Sequence, residues 1–203
     1  MSAFARAQVA DADVSRGDET LVRWLQREEQ LFRALERVIV EERLKKGFEG
    51  VDDFVAFSLS VQNRRKSRMG YSLQNQLGAL FDSQKLRYEA QAVTEGKNKP
   101  DFIFPGSKEY HDRRFDSTLL VMLGAKSTLK ERWRQILTEA EKIPSKHLCT
   151  LEPGISKDQT DDIAHHSIQL VIPESFHQTY TEKQRPQLWT VSTFVEFVKR
   201  KQR

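Results

Sequence analysis

Apolar side chains recur at three- and four-residue steps from Thr20 to Lys46, at Leu21, Trp24, Leu25, Leu31, Phe32, Leu35, Val38 and Ile39. That spacing predicts a long amphipathic helix. Lys45, Lys46 and Gly47 supply the cations and the glycine that favour a helix C-terminus. Asp52 to Asn63 reads as a second helix, with Phe54, Val55, Phe57, Leu59 and Val61. The basic stretch Arg64 to Met69 separates it from a third, Tyr71 to Ser83, which places Leu73, Leu77, Leu80 and Phe81 on one side.

The period then changes. Leu86 to Val93 alternates and predicts a strand, and Thr94 to Lys99 a turn. Asp101 to Phe104 is the next strand, stopped by Pro105 and Gly106. Ser107 to Ser117 is a polar loop. Leu119 to Lys126 is continuously apolar up to its last residue, as buried central strands are. Thr128 to Ile143 carries the clearest helical stripe, at Trp133, Ile136, Leu137, Ala140 and Ile143. A strand is predicted over Lys146–Leu151, a short helix over Ser156–Ser167, and a strand over Ile168–Ile172 ended by Pro173. A polar loop runs to Trp189. The last helix is Thr193 to Lys201, with Thr193 and Glu196 at capping-box spacing. Helices first, then strands alternating with helices, predict an α/β fold with a mixed sheet: antiparallel hairpins early, a parallel crossover later.

Residues 1–18 are small, polar and aperiodic, and are expected to form a flexible N-terminal arm. Residues 19–203 are expected to form one domain, and the chain of 203 residues can bury a sizeable core. The formal charge of +4 and pI of about 9.2 permit a polyanionic partner without requiring one. Clustering says more: Arg64-Arg65-Lys66 with Arg68, Arg113-Arg114, Lys130-Arg132-Arg134 and Lys199-Arg200-Lys201. The first of these groups is a candidate for phosphate contacts. Cys149 is the one cysteine, so an intrachain disulfide is excluded and a reduced, intracellular setting fits. Its apolar surroundings predict a buried structural thiol. No apolar run is long enough to span a membrane, and the first twenty residues lack a signal-peptide core. His165 and His166 are adjacent, so their rings diverge, and no partner at ligand spacing makes them a metal site.

Two apolar segments carry ionisable ends: Asp101 opens one and Lys126 closes the other. A carboxylate and a lysine on neighbouring strands can hold a divalent cation and polarise a phosphate beside it. Mg²⁺ takes hard oxygen ligands, and two carboxylates with one backbone carbonyl, here that of Ala125, would serve. The usual form of such a centre is Pro-Asp, a spacer, then Asp/Glu-any-Lys. Here Gly124 stands where the second acid would be. Glu139, Glu131 and Glu141 are the alternatives. Glu139 lies on the flank of the helix that starts beside Lys126; Glu131 falls in its first turn, and Glu141 points elsewhere.

The segments Ser60–Gly70, Lys99–Gly106, Glu109-Tyr110-His111, Gly124–Thr128 and Lys130–Gln135 together resemble the catalytic C-terminal domain family of EcoRII-type restriction endonucleases. Through it the chain is similar to the PspGI, SsoII and Ecl18kI group of PD-(D/E)XK nucleases. The likeness spans roughly Leu21 to Lys199. It implies the PD-(D/E)XK core with an N-terminal helical region, and a bacterial or archaeal cytoplasmic enzyme. The implied activity is Mg²⁺-dependent hydrolysis of double-stranded DNA by a homodimer, at a CCWGG-type site with CCNGG next in order. That family carries its second acid after the strand, which implies Glu139 as the partner of Asp101 and Lys126. It also implies base reading by Lys130, Glu131 and Arg132. Cations can donate to guanine O6 and N7, and a glutamate can accept from cytosine N4. Arg64, Arg65, Lys66 and Arg68 would meet the DNA backbone. Relatives swing central bases out of the stack, for which Trp24, Tyr71 and Phe57 are possible walls. The family often has a glutamate where Gln74 and Asn75 stand here. The EcoRII protein's N-terminal effector domain has no counterpart in this length of chain, so cleavage without a second allosteric site is expected. Two rival readings share the fold: a sequence-specific DNA-binding module with an inactive centre, and a mismatch- or structure-directed repair nuclease.

Overall fold

A computed structural model describes residues 1–9 and 11–203, the side chains of Lys130 and Glu131 excepted. In chain order the elements are α1 (Ser2–Ala7), α2 (Gly17–Lys46), α3 (Val51–Ser83), β1 (Glu89–Ala90), β2 (Phe102–Phe104), α4 (Ser107–His111), β3 (Val121–Lys126), β4 (Lys146–Thr150), α5 (Lys157–His165), β5 (Ile168–Val171) and α6 (Val191–Lys201). The five strands form one sheet in sequence order. β1, β2 and β3 pair antiparallel, and β3, β4 and β5 pair parallel. The mixed sheet and its change of direction match the sequence expectation.

The period of two along each strand divides the interior. Phe102, Phe104, Val121, Leu123 and Ala125 face a core completed by α2, α3 and α6, with Leu21, Leu73, Leu77, Phe81, Phe194 and Val198. Ile103 and Met122 face the other core, with Trp133, Ile136, Leu148 and Ile163. Phe81 packs edge-on against Phe102 and Phe104, with centroids 5.1 and 5.3 Å away. The alternation holds Asp101, just before β2, and Lys126, at the end of β3, on adjacent strands. No helix among the described residues is long and apolar enough to cross a membrane.

Several elements differ from the periodicity reading. α3 is one helix through the basic stretch, and Gly70 continues it with open space around its Cα. A helical glycine costs only about 1 kcal/mol relative to alanine. Arg65 and Arg68 supply the packing that apolar residues do not. Arg65 grips Glu36 of α2 through Nε and Nη2, and Arg68 pairs with Glu29 and lies 4.6 Å over Phe32. Only Glu89 and Ala90 of the stretch Leu86 to Val93 pair as a strand, because Lys85 and Gln91 sit at φ of 58° and 54°. The polar loop after Gly106 begins with α4. The segment expected as the clearest helix is a 3-10 run, Lys130–Thr138, ending in a turn with Ala140 at φ 51°. Trp133 and Ile136 are three apart, a spacing that the 3-10 pitch stacks on one side.

Residues 1–18, read as an arm, contain α1. Ala5 is fully buried, and Arg6 donates to Gln76 at 2.9 Å. Asp18 is buried and ties the N-terminal helices to the last one. Its carboxylate accepts from the backbone N–H of Glu174, Val191 and Ser192 and from the Ser192 hydroxyl. Thr190, not Thr193, caps α6, accepting from the Thr193 N–H at 3.0 Å.

His147 on β4 is buried among Trp189, Phe194 and Phe197, with one ring nitrogen 3.2 Å from the Met122 carbonyl. Burial depresses its pKa from 6.5 to about 4. The unfolded chain takes up this proton near 6.5 and the folded chain only near 4. Stability from this group is therefore complete above the first value and drains away as pH falls toward the second. The loss is about 3 kcal/mol. Urea midpoints from pH 7.5 to 4.5 should show this slope, and His147→Leu should remove that share of it.

Candidate active site

Asp101 is buried beside Pro100, where β2 begins, and its two oxygens are held differently. Oδ2 accepts from the Ala125 N–H at 2.7 Å and from the Lys126 ammonium at 2.9 Å. Oδ1 accepts from the Gln91 amide at 3.0 Å. The Gln91 backbone N–H also donates to the Asp101 carbonyl, so the left-handed residue after β1 serves as a clamp on the acid. Lys126 and Asp101 are each only 12% exposed at the side chain.

Glu139 is the residue that closes the 3-10 run, not one on a helix flank. Its Oε2 is buried and has no hydrogen-bond partner among the described residues. Burial pushes the carboxyl up from 4.5 to about 7; the Lys126 charge opposes the rise, the Asp101 charge adds to it, and Lys146 opposes it. The fields of Asp101 and Lys126 thus reach Glu139, so the three residues, far apart in sequence, come near one another beyond the end of β3, the middle strand. An orphaned carboxylate oxygen beside a second carboxylate and a strand-end backbone is a set of hard oxygen donors, which suits Mg²⁺. A buried polar atom left unpaired is costly, and a cation would satisfy it. Among the described residues no group of three or more His, Cys, Asp and Glu side chains is arranged to hold a metal, so two carboxylates are what this site offers.

Gly124 explains the missing acid. A Cβ there would lie 2.9 Å from the Ile136 γ2-methyl and 3.5 Å from Leu148. Ile136 is fully buried on the 3-10 run, so that run occupies the space that a side chain at 124 needs. Gly124→Ala should cost about 1–3 kcal/mol by overpacking, read from the urea midpoint.

The turn around Glu139 is braced by residues that periodicity does not single out. Asn98 donates to the Thr138 carbonyl at 2.8 Å. Glu95 accepts from the Tyr110 hydroxyl at 2.6 Å and from the Glu141 N–H at 3.3 Å. Glu141 is exposed. At the other end of the run, buried Leu129 donates its N–H to the Glu152 carboxylate.

The other sequence candidates are distributed as follows. Arg132 is exposed. The side chains of Lys130 and Glu131 lie outside the described residues. Arg64 and Lys66 are exposed on α3, whereas Arg65 and Arg68 are engaged with Glu36 and Glu29. Trp24 is buried under Arg6, Phe57 packs on Phe48, and Tyr71 is 67% exposed. Cys149 is fully buried, and burial pushes its thiol far above the ordinary range.

Known proteins resemble this chain in sequence and in fold. The family model described as "EcoRII C terminal" matches residues 32–195. The type II restriction enzyme EcoRII of Escherichia coli is 45% identical over 179 residues, covering 88% of this chain and 44% of that protein. The chain thus spans less than half the length of this relative. Among solved structures, metal-depleted Ecl18kI in complex with uncleaved DNA aligns with a TM-score of 0.77 at 18% identity, covering 98% of this chain and 78% of that one. A complex of the restriction endonuclease PspGI with substrate DNA aligns with a TM-score of 0.74 at 15% identity, covering 91% and 79%. The fold is therefore that of the restriction endonucleases, and by the extent of the family match and the identity to its relative, the chain belongs to the EcoRII C-terminal family.

Proposed function

We propose that the chain is a Mg²⁺-dependent type II site-specific deoxyribonuclease acting on double-stranded DNA. The observation that carries this reading is the unpartnered Glu139 oxygen, buried within reach of the Asp101–Lys126 pair. Asp101, Glu139 and the Ala125 carbonyl would hold the cation. When bound, Mg²⁺ supplies a Lewis acid for the phosphate and lowers the pKa of a water. The rest belongs to the chain. Lys126 presents a buried ammonium that holds the attacking water in line with the phosphorus and offsets charge growing on the phosphate. Gln91 and the Ala125 N–H keep the Asp101 carboxylate from rotating as the substrate arrives. Water and phosphodiester are converted to a phosphate monoester and a hydroxyl, the leaving oxygen taking a proton.

Arg132, with Lys130 and Glu131, is assigned to base edges, and exposed Arg64 and Lys66 to phosphates. Arg65 and Arg68 would have to leave their glutamates to join them. The cation–acid–cation order suits adjacent C·G pairs, so a CCWGG-type site is proposed, with CCNGG second. A symmetric site of this kind calls for a homodimer, each copy reading one half. Kinship to the EcoRII enzyme supports these assignments.

Phage DNA of known sequence, incubated in Mg²⁺ and mapped at its ends, tests the reading. Cuts confined to one short site are expected. Specific band shifts without cutting would mark an inactive centre, and cuts at branches or mismatches a structure-directed enzyme. Lys126→Ala should retain DNA binding and lose at least about 10³-fold in cleavage rate.

A further inference from the structure

Glu139 closes a 3-10 run and precedes a left-handed residue, so the backbone ladder of the run holds its N–H, on the Ile136 carbonyl at 3.2 Å, but not its carbonyl. The last carbonyls of any helical run lack partners within the run. Here Asn98 takes that of Thr138, and one ammonium takes that of Leu137 together with the two carbonyls that follow the run. The Lys146 ammonium lies 2.6 Å from the Glu139 carbonyl oxygen, 3.2 Å from that of Leu137 and 3.4 Å from that of Ala140. An ammonium carries three protons and accepts nothing, so its capacity matches these acceptors. Its base is anchored too: Lys146 opens β4, is 6% exposed, and its N–H donates to the Ser167 carbonyl at 3.0 Å. The side chain therefore spans from the sheet to the peptide that carries Glu139. Bonds from a charged donor are stronger than those between neutral groups, so this is a stiff tether.

We propose that Lys146 is the positioning residue for Glu139: it fixes the turn from Leu137 to Ala140 so that the Glu139 carboxyl stays aimed at Asp101 and Lys126. The proposal rests on the reading of Glu139 as a cation-holding carboxylate. Lys146 itself touches neither cation nor DNA; it acts through the backbone of its neighbour. Asn98 and Glu95 brace adjacent residues and the Glu139 N–H donates to the Ile136 carbonyl, but among the contacts described only Lys146 holds the Glu139 carbonyl.

The test uses Mn²⁺ as probe, followed through the free-ion electron paramagnetic resonance signal, with cleavage kinetics in Mg²⁺ alongside. Lys146→Met keeps most of the stem volume and removes every donor. It should weaken Mn²⁺ binding about tenfold and lower kcat about thirtyfold. KM for DNA should stay within about threefold of the unchanged enzyme, the signature of a lost transition-state contact. In Glu139→Gln, Mn²⁺ binding should already be weak, and adding Lys146→Met should weaken it no further. The proposal is overturned if Lys146→Met lowers the melting temperature but leaves Mn²⁺ affinity and kcat within about twofold. An equal loss in both backgrounds also overturns it. If Glu139→Gln binds Mn²⁺ as the unchanged protein does, the site reading itself fails and takes the proposal with it. Lys146→Gln, a shorter amide donor, carries the same expectation at smaller amplitude if Lys146→Met does not fold. Failure of both to fold assigns Lys146 to folding alone and overturns the proposal.

Discussion

Glu139→Gln should abolish cleavage and, in chelator, yield a protein more stable than the original. The two effects share one cause. The Glu139 side chain is half-buried, with one buried carboxylate oxygen unpaired among the described residues, and its pKa is pushed up to about 7. Burial outweighs the favourable fields of Lys126 and Lys146, so without a bound cation the charged form is a burden on the fold. The unfolded chain loses this proton near 4.5 and the folded chain near 7, so stability falls as pH rises across that interval. A neutral amide of the same shape removes the penalty. Allowing for partial exposure, the gain at pH 8 should be about 1–2 kcal/mol, seen as a higher urea midpoint. Cleavage in Mg²⁺ should fall by at least about 10³-fold, because the amide cannot supply the second anionic ligand. DNA binding in chelator should hold. A variant that cuts at even a tenth of the original rate would remove Glu139 from the chemistry.

The largest loss of stability is expected at Asp18, which ties α2 to the start of α6. Its carboxylate accepts from three backbone N–H groups and one hydroxyl, with distances from 2.5 to 3.1 Å. Two of those N–H groups, of Val191 and Ser192, open α6, where a negative charge also meets the positive end of the helix. Asp18→Ala leaves these buried donors without partners and should cost about 3–5 kcal/mol. Chemical denaturation would show it. Asp18→Asn should lose less, because one carbonyl oxygen remains. A cost under about 1 kcal/mol would mean that water replaces the carboxylate freely.

Much of this architecture was readable as pattern. The runs Phe102–Phe104 and Val121–Lys126 are short, apolar and punctuated, and both are strands where expected. Asp101 and Lys126 stand out because each is the ionisable end of such a run. What pattern could not resolve has physical reasons. Nine residues of stripe fit a pitch of three about as well as 3.6, so Lys130–Thr138 reads as an α-helix although it is a 3-10 run. Arg65 and Arg68 look like a break between helices because polar residues there pack through ion pairs with α2. Asp18 reads as part of an arm because its partners lie more than 150 residues later. Lys146 and Gln91 act through hydrogen bonds to backbone or carboxylate groups in the next element or turn, which leave no periodic trace. The vacancy at Gly124 is visible in sequence, but its cause, the methyl of Ile136, is visible only in the fold.

The ion-paired hairpin of α2 and α3 makes the molecule unevenly sensitive to its medium. Around the sheet, cohesion comes from apolar burial, which ordinary electrolytes hardly weaken. Toward the hairpin tip, where Phe48 packs on Phe54 and Phe57, a larger share comes from Arg65 on Glu36, Arg68 on Glu29 and Arg43 on Asp53, partly open to solvent and so screened as ionic strength rises. A phosphate chain approaching that tip competes with the glutamates for the same guanidinium groups. The outer reach of the hairpin is thus the part that brine, or a bound polyanion, would loosen first.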